Sequence, residues 1–269
     1  MQINVDQLEI PKASASAALA LDIVSRDDPD MQQLESAIMH DPVLASTLLR
    51  YANSPLMRRS TSVSNVPHAL QLLGLNSIKS AIVTATMRSL LPKGSEIGTS
   101  ILQHMTSISA LCKLIAVNIC ADSSDELEFL GLVHDVGILT LFSNYNESYG
   151  EVYTKAKKAG LPLDQIEETE FGFNHGLVSA RTAQDFRLPE LHIELLNEFH
   201  NRAPLLALAS EKDRDTCILA LAHRLYQESN SSVLEESILE EESHLAGLLA
   251  LTDTQIGKIK QDYHHVINS

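Results

Sequence analysis

The segment FLGLVHDVGILTLF, residues 129–142, constrains the fold more than any other part of this chain. It is almost wholly apolar, yet it carries the adjacent pair His134 and Asp135 at its centre. A segment of this kind belongs inside a core, and a bare carboxylate there is very costly unless it is paired. The fold must therefore bring Asp135 a partner, either a histidine ring or a metal ion. Four further histidines, His104, His175, His200 and His223, also lie within or beside apolar runs of helical character, where surface histidines are not expected.

The core around such a segment has to be aliphatic. The chain has 269 residues, 44% hydrophobic, with no Trp and only 4% aromatics, so Leu, Ile, Val and Ala must fill it. That length allows about two domains or one large one. A formal charge of −15 argues against a general nucleic-acid binder and against docking on an anionic membrane. The acidic runs SSDELE and LEESILEEES read as solvated helix faces. Cys112, Cys120 and Cys217 form neither a CxxC pair nor a disulfide framework and read as small core residues. Unpaired thiols, an N-terminus without a basic-then-apolar leader and no uninterrupted apolar run near ~18 residues give a cytoplasmic expectation.

No strand alternation of useful length is present, and the punctuation is helical throughout. ASAALALDIVS opens the series. Asp30 is placed to cap MQQLESAIM, with Gln33 in the capping-box position. Asp41 and Pro42 start PVLASTLLRYANS, which ends near Asn53. Gly74 is expected to close VPHALQLLG, and Asn76 to restart the chain into SIKSAIVTATMRSLL. Pro92, Gly94 and Gly98 make the clearest break, followed by a long helix expected over 99–120 with Ile101, Met105, Ile108, Leu111 and Ile115 on one face and His104 beside them. Ser123 starts the helix leading to His134 and Asp135, and Gly137 is expected to bend or end it. Later segments, ESYGEVYTKAKKAG to DTCILALAHRLYQ, complete the middle, and an acidic helix and DTQIGKIKQDYHHVIN close the chain. Subdomains are expected at 1–92, 93–226 and 227–269.

Imidazoles and a carboxylate converging in a helical core suit a divalent transition metal such as Mn, Fe or Zn. An ion with an open position would lower the pKa of bound water. Other histidines carry less: His40 and His68 flank helix starts, His264 and His265 sit near a terminus, and His192 and His244 give no usable signal. Asn53 reads as a helix end rather than a groove residue, as does Ser54, and Arg58 and Arg59 as solvated loop. The chain has no nucleophile elbow, Walker loop or dinucleotide-binding glycine pattern.

Three segments in order, HDPVLASTLLRYANSPLM, VSNVPHALQLLGLNSIKSAIV and LGLVHDVGILTL, resemble the HDOD domain. This is a bacterial signalling-associated relative of the HD-type metal-dependent phosphohydrolases, and the resemblance covers roughly residues 10 to 205. It implies an all-α fold, an N-terminal helical bundle packed on an HD-like bundle. It also implies a metal set in which His104 stands for the first His, His134 and Asp135 for the doublet, and His223 for the final Asp, with His175 and His200 toward a second ion. Departures are visible: Ile138 replaces a lysine that often follows the doublet, and Phe199 replaces the first member of a His-His pair. The resemblance thus implies a regulatory module without established catalysis, binding a signalling protein or small ligand. Residual metal-dependent hydrolysis of a nucleotide or cyclic dinucleotide is the alternative, and a structural metal or a metal-free relic the third reading. With no confident catalytic residue, the metal question comes first.

Overall fold

Short polar side chains set the start of six of the helices. Ser14, Asp30, Asp41, Asn65, Ser95 and Thr252 each accept a backbone N–H in the first turn of the helix they precede. The structure is a computed structural model and describes residues 5, 8–9, 13–55, 57, 62–91, 94–185, 188–201, 204–230 and 236–268. Among these residues there are α-helices and short 3-10 turns and no strand. The N-terminal helices are α1 (Ala15–Val24), α2 (Met31–Met39), α3 (Pro42–Ala52), α4 (Val66–Leu72) and α5 (Leu75–Leu90). They are followed by α6 (Glu96–Val117), α7 (Ser124–Val133), α8 (Val136–Ala159), α9 (Leu163–Phe171), α10 (His175–Asp185) and α11 (Glu190–Glu198). The series ends with α12 (Glu211–Asn230), α13 (Glu236–Leu248) and α14 (Asp253–Ile267).

The apolar stripe read on the long helix is real: Ile101, Met105, Ile108, Leu111 and Ile115 of α6 are all buried. α6 packs against α7, α8, α12 and α14 and is the centre of the molecule. By length and composition it could cross a membrane, but its apolar face is spent on these neighbours. α1 to α5 pack among themselves, and α5 reaches α7 and α8, so one aliphatic core runs through the molecule. α13 and α14 are part of it, through Leu245, Ile256, Ile259 and Tyr263.

Several local expectations change. α6 begins at Glu96 rather than Thr99, because the Ser95 hydroxyl accepts the Gly98 N–H, and it ends at Val117. Gly98 is thus inside the helix, Gly94 takes the left-handed turn (φ 78°), and Pro92 lies outside the described residues. Gly74 does not close α4; Leu73 does, and Gly74 is the N-cap of α5. The side-chain amide of Gln33 accepts from Arg26 at 3.4 Å, while the capping box forms at Thr252 and Gln255. His264 and His265 are held in the last turn of α14.

The acidic runs are not wholly solvated. Glu128, in SSDELE, is 2% exposed and receives Lys113 Nζ at 2.7 Å and the Tyr51 hydroxyl. Lys113 also reaches Asp125 at 2.8 Å. This network ties α3, α6 and α7, and a lysine inside the apolar run ALCKLIA was its one sequence sign. Glu242, in LEESILEEES, is also buried and bonds Lys260 of α14, which binds Glu228 of α12 as well.

Burial raises the Glu128 pKa, and Lys113 opposes that rise. A carboxyl whose folded pKa is raised stabilises fully below its unfolded pKa and loses that contribution as pH rises. Lys113→Ala should therefore cost about 3 kcal/mol at neutral pH, as expected for a buried charge stripped of its partner. The deficit should shrink as pH falls and Glu128 takes a proton. Urea unfolding of both proteins at several pH values checks this; a pH-independent deficit would contradict it.

Candidate metal centre

α7 ends at Val133 and α8 begins at Val136, so His134 and Asp135 fill the turn between them. Gly137 does not end the helix, as expected; it sits in the first turn of α8 and lets α10 approach. A Cβ at position 137 would lie 2.1 Å from the His175 carbonyl oxygen and 2.7 Å from the Ser179 nitrogen. The Gly137 N–H instead donates to Ser179 Oγ at 2.9 Å. This contact places His175, the first residue of α10, beside Asp135. His104 comes from α6, His200 from a 3-10 turn after α11, and His223 from α12.

The six residues converge. His104, His134 and His223 offer nitrogens within 4.8 Å of one another, and Asp135, His175 and His200 form a second such group. Asp135 faces both. Its Oδ2 lies 3.2 Å from His104 Nε2 and 3.0 Å from His134 Nε2. Its Oδ1 lies 3.3 Å from His175 Nε2 and 3.6 Å from His200 Nε2.

The rings are held from behind. His134 Nδ1 lies 2.7 Å from the Gly131 carbonyl oxygen, which assigns the proton to Nδ1 and aims the Nε2 lone pair inward. His175 Nδ1 lies 2.6 Å from Glu167 Oε2, and the His175 N–H donates to the same oxygen at 2.8 Å. Glu167, on α9, is fully buried and also accepts the Tyr149 hydroxyl. Sequence reading counted one carboxylate at this centre and missed Glu167, which sits in an amphipathic acidic helix with nothing to distinguish it. His192, assigned no role, is buried elsewhere with Asp215 at 3.2 Å.

Burial works against a charged Asp135, but the adjacent His134 and His175, with His104 beside them, hold its carboxyl well below the usual range. Burial pushes His223 well down, with His134 and His104 adding to it. Burial likewise lowers His104, against Asp135, and lowers His200, with His175 adding to it. His175 runs the other way: burial disfavours its charge, but Glu167 and Asp135 on either side outweigh burial and raise it.

The donors suit a divalent cation. Nε2 of His134, His175, His200 and His223 and Oδ1 of Asp135 are buried without a hydrogen-bond partner. Orphaned polar atoms each cost about 1–3 kcal/mol, and here they share one small volume. Imidazoles and a carboxylate are the set that Mn, Fe or Zn takes. Of the other residues considered, Asn53 ends α3 as expected, its amide donating to the Leu49 and Val63 carbonyls at 2.8 and 2.7 Å. Ser54 lines a cleft instead. Arg58 and Arg59 lie outside the described residues.

Comparison with known proteins gives a family. The HDOD domain model matches residues 10–202. A Bacillus subtilis (strain 168) relative, the uncharacterized protein YuxH, is 28% identical over 96 residues, 36% of this chain and 24% of the relative. The match thus spans about a quarter of that protein's length. Among solved structures, a candidate phosphohydrolase from Shewanella amazonensis SB2B is 18% identical with a TM-score of 0.72, covering 97% of this chain and 91% of its own. An HDOD domain protein of unknown function from Geobacter sulfurreducens is 20% identical with a TM-score of 0.66, covering 96% and 93%. A candidate signal transduction protein from Marinobacter aquaeolei VT8 is 17% identical with a TM-score of 0.67, covering 100% of this chain and 59% of that one.

Two variants test the geometry. Gly137→Ala should lose about 3 kcal/mol or more of stability, because backbone atoms meet the new methyl group and cannot rotate away; denaturant titration measures it. Glu167→Gln should keep the fold and weaken Mn or Zn binding about tenfold or more, since the carboxylate orienting His175 is gone. Equal affinity in calorimetric titrations would contradict that role.

Proposed function

The chain belongs to the HDOD family, and from that premise we propose that it is a regulatory signal-transduction module whose histidine–aspartate centre holds a divalent ion without supporting efficient turnover. The observation carrying this reading is what surrounds the donors. Position 138, where the resemblance to enzymatic HD proteins leads to a lysine, is a buried isoleucine. Position 199, the first of their His-His pair, is a buried phenylalanine packed 5.2 Å from the His200 ring and 5.5 Å from the His223 ring. Both replacements keep the core tight; the first removes a cation that could meet a substrate phosphate, and the second a polar ring. The signal-transduction name of the Marinobacter protein is consistent with this role.

His104, His134, Asp135 and His223 would hold the ion, with His175 and His200 available to a second. Such an ion, when bound, supplies Lewis acidity and lowers the pKa of coordinated water. The residues' own part is to fix ring orientation and to offer ring nitrogens and a carboxylate. The orphaned atoms count against a metal-free relic, in which hydrogen bonds alone would satisfy the cluster. An acidic chain of charge −15 favours a basic partner surface by complementarity, in a cytoplasmic setting.

The sharing of Asp135 between two donor groups favours a second reading, residual metal-dependent phosphohydrolysis. One experiment separates the two. Untagged protein and its His134→Ala variant are assayed for metal by elemental analysis, then for hydrolysis of nucleotides and cyclic dinucleotides with Mn or Fe added. The regulatory reading expects a bound transition metal that the variant loses, with no difference in turnover. Metal-dependent turnover that disappears in His134→Ala would establish the second reading, and a metal-free wild type would remove the metal from both.

A further inference from the structure

A second cavity, distinct from the histidine centre, opens between α3, α5, α6, α12 and α14 with a volume of about 490 Å³. That size accommodates a small organic molecule. Arg50, in the last turn of α3, and Arg88, in the last turn of α5, both line it. Helix C-termini favour cations, which explains each arginine singly. It does not explain why both line one cavity.

In a chain with 35 acidic and 20 basic residues, that is unusual company. Lys113, Lys155, Lys212, Arg214, Arg224 and Lys260 all have carboxylate partners. Arg50 donates to the Thr47 hydroxyl at 3.3 Å, and among the described residues neither Arg50 nor Arg88 forms an ion pair with a carboxylate. The one carboxylate lining the cleft, Glu128, is already bonded by Lys113 and Tyr51. Arg50 is close enough for its charge to disfavour that on Arg88, after burial. The rest of the lining mixes hydroxyl and amide groups, including Thr84, Gln103 and Tyr263, with apolar walls.

We propose that this cleft is a binding site for a small anionic ligand, carrying a phosphate or polyphosphate group, which Arg50 and Arg88 clamp at its mouth. Guanidinium groups match phosphate oxygens in paired hydrogen bonds, and an anion would relieve the repulsion between them. The cleft does not depend on a metal at the histidine centre, so it stands apart from the reading of that site. The two are neighbours, however: Tyr226 lines the cleft and lies 4.7 Å, edge-on, from the His104 ring. A ligand here would bear on the helix that also supplies His223, which is where a regulatory input would be needed.

The test is isothermal titration calorimetry of the full chain with inorganic pyrophosphate at matched ionic strength, with and without EDTA, alongside Arg50→Gln, Arg88→Gln and Arg88→Lys. Circular dichroism confirms that each variant keeps its helicity. The proposal expects saturable binding of one pyrophosphate per chain, unaffected by EDTA. Each glutamine variant should weaken it about tenfold or more, and Arg88→Lys should weaken it less. No saturable binding, equal binding in all proteins, or binding abolished by EDTA would overturn it, the last by moving the anion to a metal. Hydrolysis and metal content at the histidine centre are read separately, so failure there leaves this result standing.

Discussion

Asp135 is a carboxylate inside an aliphatic core, and much of the molecule is arranged to make that tolerable. It is 4% exposed, and four imidazole nitrogens stand within 3.6 Å of its two oxygens. To assemble them the chain must bring α6, the α7–α8 turn, α10 and the turn after α11 to one point, with His223 of α12 beside them. Gly137 is part of the same solution, since only a residue without a side chain lets α8 and α10 close on each other. The local backbone, the packing of α8 on α10 and the electrostatics of the site therefore answer one constraint.

The same logic recurs at Glu128 and Lys113. A buried acid on α7 is matched by a buried base on α6 and a tyrosine on α3, so the N-terminal helices are fastened to the rest through charge as well as apolar contact. The two buried acids differ in what they leave over. Glu128 has both oxygens bonded within the protein. Asp135 and its histidines keep orphaned polar atoms crowded into one small volume. A satisfied network is structural; a convergent, unsatisfied one has room for an ion.

Much of this was legible from sequence because helical grammar is local. Caps at Asp30 and Asp41 lie where single residues announce them, Ser123 directly precedes α7 without a side-chain cap bond, and the α6 stripe follows the helical repeat. That these six side chains gather in the core was legible for another reason: histidines and a carboxylate in apolar runs advertise burial. What failed was orientation within charged helices. Glu128, Glu167 and Glu242 look like their exposed neighbours in sequence, and only tertiary packing turns them inward. His192 was missed because its partner, Asp215, is 23 residues away on another helix.

Glu167 changes the electrostatic argument. Counting donors from sequence gave one carboxylate among five histidines, a site that stays strongly positive around a divalent ion. With Glu167 against His175, a second carboxylate stands immediately behind the ligand shell, where it offsets charge without occupying a coordination position. The excess of positive charge is therefore smaller than the residue count suggests, and it alone does not argue against hydrolysis. The weight moves to shape and to missing contacts. With Ile138 and Phe199 as apolar packing beside the donors, the proposed reading is a centre that would retain an ion and offer a substrate little to hold. Arg50 and Arg88 lie instead in the separate cleft across Tyr226. Separating ion retention from anion recognition in this way suits a protein that reports a bound ligand more than one that transforms it.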